Sequence, residues 1–398
     1  MVISRARYLL ILFMIISTLV ITGCQSSPDI SQYMSSGKAN YDKWQYAAAI
    51  ADYIKAIEVN PTSYEAYTGR GKAFCYNRDY TKSIADLTKA LELKPGSVEA
   101  LTGRAKVYIS NMQNEAALAD LDQASKIEPA NSQVYLGLGF YYRAKNEPDK
   151  TLANFDKAIQ TDPQNGECHT GKGHYFRMAG DYESALKEYD KAIEMKTEGI
   201  AMAYYCRAKC YGHKQDWDNQ ISDDAKAIEI VPNMGGGMAY NERGWAYLMK
   251  GDYDRAMADI NRSLEIGPNS GYTWDSRGWC YFYMGNTNQA IEDLTRALDT
   301  LPDSEVYGHR GACYYTTKEY DKAMADLNKA IELNAKYGDG YFYRAMCYKA
   351  LGQKDMAIAD FQSAINFADS FKDPTLVKQA MDEIKNLQAA PCGCFAGK

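Results

Sequence analysis

The sequence has no phosphate-cradling glycine loop, no zinc-protease helix, no nucleophile elbow and no cleft of paired carboxylates. Those absences remove the usual routes to catalysis, so the chain is expected not to be an enzyme and to need no cofactor. Positive charge is in deficit: 45 lysines and arginines face 51 acidic residues, a net charge of −6. Nucleic acid as the main partner would need a basic face, which this balance does not supply. Long apolar runs are short as well. The uncharged stretch from Tyr8 to Thr22 has 15 residues, fewer than the roughly 20 that cross a bilayer as a helix. Phenylalanine is scarce at 11 against 33 tyrosines, an imbalance produced by tyrosine positions that recur along the chain.

What recurs most regularly is a small residue. Gly37, Gly71, Ala105, Gly139, Gly173, Ala208, Gly244, Gly278, Gly311 and Ala345 are spaced 34, 34, 34, 34, 35, 36, 34, 33 and 34 residues apart. Such a period means stacked supersecondary units rather than one globular core. Within the unit Ser63 to Gly96, apolar residues at Tyr67, Phe74 and Tyr80, then Ile84, Leu87, Ala90 and Leu91, keep helical spacing on both sides of a short polar break. Pro95-Gly96 stops the second helix and Ser97 is placed to cap the next. Each unit is therefore two antiparallel helices.

The pattern resembles the tetratricopeptide repeat over residues 30–369. An aromatic column follows the small one (Phe74, Tyr108, Tyr142, Phe176), an alanine column marks the second helix (Ala56, Ala90, Ala124, Ala158), and a proline closes most units (Pro61, Pro95, Pro129, Pro163). The resemblance implies an all-α superhelical solenoid of about ten helix-turn-helix repeats. The longer intervals fall near Glu198-Gly199 and the Gly235-Gly236-Gly237 run, where irregularity is expected. Residues 370–388 read as a capping helix with a stripe of Leu376, Val377, Ala380, Met381, Ile384 and Leu387, and residues 389–398 as a disordered tail.

The first 23 residues read as a signal peptide, with Arg5 and Arg7 before the apolar run. Removing those two arginines takes the net charge from −6 to −8. Leu19 to Cys24 resembles the bacterial lipobox, which implies lipidation of Cys24 and a short linker at 24–29. The implied location is the bacterial cell envelope, lipid-anchored: the outer membrane in a Gram-negative cell, otherwise the outer face of the plasma membrane. Of the ten cysteines, Cys210, Cys280, Cys313 and Cys347 share one register and read as small packing residues. Cys206, Cys210 and His213, with His174 in the neighbouring helix, could together hold zinc, and Cys392-Gly393-Cys394 could chelate or oxidise; packing is the simpler account, and no metal site is expected.

Two further columns follow from the small one. A residue earlier lies a basic column, and 16 residues beyond that an acidic one: Arg70/Asp86, Arg104/Asp120, Lys172/Glu188, Arg207/Asp223, Arg243/Asp259, Arg277/Asp293, Arg310/Asp326 and Arg344/Asp360. Both charges vanish together at Leu138 and Asn154, which places the partners in one repeat; Ser36 with Asp52 departs from the pattern. The resemblance puts the residue after the small column on the concave, first-helix wall. Candidate groove residues are Lys72, Lys106, Phe140, Arg143, His174, Arg177, Lys209 and His213 in a basic half, and Asn241, Trp245, Trp279 and Phe282 in an aromatic half. Recurrent Gly69, Gly103, Gly137 and Gly171 either leave that wall open for a ligand or reflect duplication alone. The reading is a membrane-anchored interaction scaffold or adaptor binding a protein or peptide, acidic or carboxylate-bearing, with no nucleic acid. The alternatives are a periplasmic chaperone or pilot for secretion or pilus subunits, and a metal- or redox-responsive binder.

Overall fold

A computed structural model describes residues 29–196, 199–368 and 374–389. The signal peptide, Cys24, the irregularity at Glu198 and the Cys392-Gly393-Cys394 tail lie outside the described residues. Among them are 21 α-helices and one short 3-10 helix. Eighteen of the α-helices form nine antiparallel pairs within the two units, from Ile30–Asp42 with Tyr46–Val59 to Gly338–Ala350 with Lys354–Phe367. No described helix is long and apolar enough to cross a membrane.

The contacts divide the chain into two compact units: residues 1–175 with 194–199, and residues 176–193 with 200–398. Within each unit the same residues break and join the helices. Ser63 and Ser97 cap first helices by accepting from the amides of Ala66 and Ala100, satisfying donors that a helix start leaves open. Seven residues past the small column the chain turns through a left-handed residue. Trp44, Arg78, Met112, Asn146, Gln215 and Lys318 take it with φ between 58° and 64°, and Gly180, Gly251, Gly285 and Gly352 take it elsewhere. Side chains at that conformation cost roughly 1 kcal/mol, which the packing of two helices outweighs.

Within the units the small column is buried against a large residue of the same repeat's second helix. A Cβ on Gly71 would stand 2.8 Å from Leu87 Cγ, and one on Gly244 would stand 2.7 Å from Ile260 Cγ1. The next repeat closes the other side of the same large residue: a Cβ on Gly69 would meet the Tyr53 ring at 2.5 Å, and one on Gly137 would meet Leu121 Cδ2 at 2.6 Å. Gly69 and Gly137 therefore make room for the preceding second helix, whereas a Cβ on Gly171 would stand 2.8 Å from Leu136 of the preceding first helix and one on Gly103 would meet Leu87 at an ordinary 3.4 Å. First helices touch the first helices of neighbouring repeats, whereas second helices do not approach one another to that degree. The first-helix layer is thus the inner one within a unit.

The expected charge pairs are bidentate. In the pair Arg277/Asp293, Nε and Nη2 donate to the two carboxylate oxygens at 2.6 and 3.0 Å; Arg70, Arg104, Arg207, Arg243, Arg310 and Arg344 repeat the geometry. The remaining guanidinium nitrogen often reaches the preceding second helix, as from Arg104 to Thr88 at 2.9 Å and from Arg344 to Asn328 at 2.8 Å. Lys172 uses that second direction, 2.6 Å from Asp156, while Glu188 meets Lys191 at 3.2 Å. The departure at the first repeat is only partial, since Ser36 Oγ donates to Asp52 at 2.6 Å across the same interval. Recurrent aromatics flank the guanidinium, with Trp274 and Tyr281 at 4.5 and 5.8 Å from Arg277. That sandwich accounts for much of the tyrosine excess.

The glycine run forms the 3-10 helix Met234–Gly236, and Gly235, Gly236 and Gly237 all have positive φ. A Cβ on Gly237 would also stand 2.9 Å from the Ser263 carbonyl oxygen, so both conformation and space require glycine there. At the far end, the helix Pro374–Ala389 covers the last repeat with Leu376, Ala380, Ile384 and Leu387 against Phe342 and Phe361. Met381 departs from the expected stripe and is 54% exposed.

Candidate binding surface

In the first unit the inner-layer cations are mostly neutralised by carboxylates of later repeats. Lys72 Nζ lies 3.0 Å from Glu99, and Lys106 Nζ donates to the Tyr76 hydroxyl at 2.7 Å with Glu167 at 3.7 Å. The same lysines lie over aromatic rings, Lys72 at 5.6 Å from Tyr41 and Lys106 at 5.0 Å from Tyr76. Those rings belong to a cluster in which Tyr46 stacks on Tyr76 at 5.1 Å, with Tyr41 edge-on and Trp44 tilted beside them. Phe140 turns its edge to the buried Phe155 at 5.4 Å, and His174 is half-buried. Arg143 differs from the lysines. Its guanidinium is 5.4 Å from the Phe140 ring, half-buried, and has no ion pair among the described residues; burial lowers its pKa.

In the second unit the expected residues take separate places. Arg177 lies close enough to Tyr189 and Cys206 to favour their ionised forms, against the burial that raises both pKa values. Lys209 Nζ is 2.6 Å from Glu242, beside Asn241. His213 stacks on Tyr182 at 4.8 Å, a repeat-to-repeat contact that recurs as Tyr253 on Tyr283. Trp245 packs partly buried on Leu248 and Ile260. Trp279 is only 8% exposed; it stacks on Phe282 at 4.6 Å and on His309 at 4.0 Å. Its place is structural support beneath the face, with Phe282 beside it.

The thiols of the shared register are packing groups. Cys210, Cys280, Cys313 and Cys347 are fully buried, and all four are free thiols. Burial pushes Cys280 up to about 11 and Cys313 and Cys347 up to about 12, far from the thiolate that binds metal or reacts. Among the described residues no group of three or more His, Cys, Asp or Glu side chains is arranged to hold a metal ion.

Two features of the inner layer escaped the column reading. One is the set of partner carboxylates, Glu99, Glu167 and Glu242, of which the first two stand six residues before the small column and the third two residues before it. The other is a group around His309, whose Nδ1 is 2.8 Å from Asp275. Burial opposes the imidazolium there, but Asp275, Glu305 and Asp339 outweigh it and the pKa rises.

This geometry defines a class: an all-helical repeat scaffold whose first helices form an inner face of ion pairs and aromatic rings. Profiles of the tetratricopeptide repeat match residues 243–308, 304–337 and 339–367, and one described as TPR repeat matches 37–76. Residues 37–76, 243–337 and 339–367 thus match tetratricopeptide repeats, and the fold is that of an all-helical solenoid of such repeats. Among solved structures, a tetratricopeptide repeat protein from Parabacteroides merdae is similar with a TM-score of 0.53 and 18% identity, covering 65% of this chain and 98% of its own. The APC/C hetero-tetramer Cut9–Hcn1 is similar with a TM-score of 0.51 and 14% identity, covering 90% of this chain and 96% of that one. A search of curated proteins gives no match to the chain.

Proposed function

We propose that the chain is a membrane-anchored adaptor without catalytic activity, whose first-helix face binds a protein or peptide through a carboxylate. The observation that carries the ligand class is Arg143: a half-buried guanidinium beside an aromatic ring, with no carboxylate of its own. Lys72 and Lys106 hold partners already, so they shape the face rather than supply its free charge. A carboxylate arriving at Arg143 gains a charge-assisted, bidentate hydrogen bond. A protein of like fold is found in a hetero-tetramer, Cut9 with Hcn1, which agrees with a partner-binding role.

The test is a titration of the full chain with a short fluorescein-labelled glutamate–glycine peptide. Arg143→Ala is expected to weaken binding about tenfold or more, while Lys145→Ala, an exposed neighbour just past the same helix, leaves it unchanged. Equal affinity of wild type and Arg143→Ala would remove the proposal. Anchoring rests on the Leu19 to Cys24 motif. Cys24→Ser is expected to abolish palmitate labelling and release the protein from membranes; retained labelling would show that Cys24 is not the acceptor.

A further inference from the structure

The sixth repeat meets the seventh at a seam built unlike its neighbours. Sixteen residues past the small column stand Leu87, Leu121, Phe155, Ile260, Leu294 and Leu327, and in the sixth repeat Asp224. Elsewhere this residue seals the step to the next repeat with hydrocarbon, as Leu121 does against Gly137. The same register sets Asp224 against Glu242, on the helix Met238–Met249. Asp224 is fully buried, and neither of its carboxylate oxygens has a hydrogen-bond partner. Gln220 Oε1, the Tyr205 hydroxyl and Asn241 Oδ1 are buried without one as well. Each of these groups gives up water on folding and receives nothing in return.

Two polar contacts cross the centre of the seam, and both end on Glu242. Lys209 Nζ lies 2.6 Å from its carboxylate, and the Gln220 amide donates to its main-chain oxygen at 3.0 Å. At the turn end Lys250 meets Asp218. The connection is also distinct. Here the small-column interval is 36 residues, and the chain passes through Gly235, Gly236 and Gly237, all at positive φ. A Cβ on Gly267 would stand 2.5 Å from the Gly236 carbonyl oxygen, so the turn is pressed onto the seventh repeat. The seam itself lies between Trp217–Ile230 and Met238–Met249. Glycine takes either sign of φ at little cost, so such a turn can be reset when the helices part.

The charges around Asp224 decide its state. Tyr205 and Lys209 reach it from Ile200–His213, Glu242 from Met238–Met249, and Asp223, tied to Arg207, from its own helix. Burial raises the Asp224 pKa well above the usual range, and the Glu242 charge adds to it; Gln220 and Lys209 oppose. The closed seam therefore holds the carboxyl protonated, and a carboxyl opened to water returns to about 4. Opening releases a proton, so rising pH favours it.

We propose that the seam between the sixth and seventh repeats is a pH-controlled hinge: protonated Asp224 keeps Trp217–Ile230 seated on Met238–Met249, and loss of the proton lets the two part on the Gly235-Gly236-Gly237 turn. Lys209 stands on one side of the seam and Asn241 with Trp245 on the other, so the same proton sets the spacing of the first-helix face. That consequence rests on the first-helix face being the binding face; the hinge does not.

The test is amide hydrogen exchange of the full chain from pH 5 to 8, with each rate divided by that of the unstructured chain at the same pH. In the wild type, protection of Trp217–Ile230 and Met238–Met249 is expected to fall about tenfold per pH unit until the buried carboxyl itself ionises. Asp224→Asn keeps the shape and cannot ionise, and Asp224→Leu restores the residue type of the column; both are expected to remove the slope. Gly271–Tyr283 and Thr287–Leu298 are expected to stay better protected at every pH. A flat wild-type profile would overturn the proposal, as would an unchanged slope in Asp224→Asn. Equal loss of protection in all four helices would overturn it too, because the proton would then act on the unit as a whole and not on the seam.

Discussion

Arg277→Ala is expected to lower the stability of the eighth repeat by about 3–5 kcal/mol, the cost of leaving one member of a buried ion pair alone. The magnitude follows from what the substitution strands. Asp293 has a side chain only 7% exposed and takes both of its strong hydrogen bonds from Arg277. Asp293→Ala is expected to cost less, because Arg277 is 20% exposed and keeps Asn261 at 3.0 Å and the Trp274 face at 4.5 Å. Reversing the pair, Arg277→Asp with Asp293→Arg, recovers only part of the loss. An aspartate at 277 would face a ring and an amide set for a cation. Replacing both by apolar residues of similar volume avoids stranding either charge and recovers more. Denaturant midpoints give the order of the four variants, and hydrogen exchange locates the loss in Gly271–Tyr283 and Thr287–Leu298. Equal costs for the two alanine variants would mean that Asn261 and Trp274 contribute nothing.

That pair also shows how far the sequence could be read. Joint loss at Leu138 and Asn154 was enough to place Arg277 and Asp293 across one repeat, because a buried charge without its partner is too costly to keep. The fold was legible for the same reason: every repeat buries the same columns, so a period in residues is a period in packing. Contacts with the next repeat were harder to see. Lys72, Lys106 and Lys209 read as free basic groups until Glu99, Glu167 and Glu242 are brought beside them. Trp279 read as a groove aromatic, yet its ring is covered by Phe282 and His309. The inner glycines read either as an open wall or as duplication alone, and Gly69 and Gly137 fit around Tyr53 and Leu121. Each of these depends on the superhelical offset between units, which column spacing does not carry. Asp224 is a different case. It was visible as the one charge among leucines, isoleucines, phenylalanines and tyrosines in its column, and only burial showed that it has no partner.

Asp224→Leu is expected to raise stability at pH 8 by about 2–4 kcal/mol. A buried leucine is worth about 1.5–3 kcal/mol over an exposed one, and removing an unsatisfied buried polar group adds about 1–3 kcal/mol; fitting a longer side chain beside Gln220 takes some of that back. The gain depends on pH, with a definite sign. The folded-state pKa of Asp224 is raised, by burial first and then by Glu242, so folding favours its protonated form. Below the ordinary aspartate pKa of about 4, both states are protonated and the carboxyl carries no ionisation penalty. As pH rises toward the folded-state pKa, the unfolded chain ionises and the folded chain does not, and wild-type stability falls. Around the carboxyl stand Tyr205 and Lys209 from Ile200–His213, Asp223 on its own helix and Glu242 from Met238–Met249. None of these is removed by the substitution, so the difference between wild type and Asp224→Leu isolates one proton. That difference is expected to be smallest near pH 4 and to grow through neutrality. Urea denaturation at both pH values measures it. A gain that shrinks with rising pH would mean that Asp224 is ionised and stabilised in the folded protein.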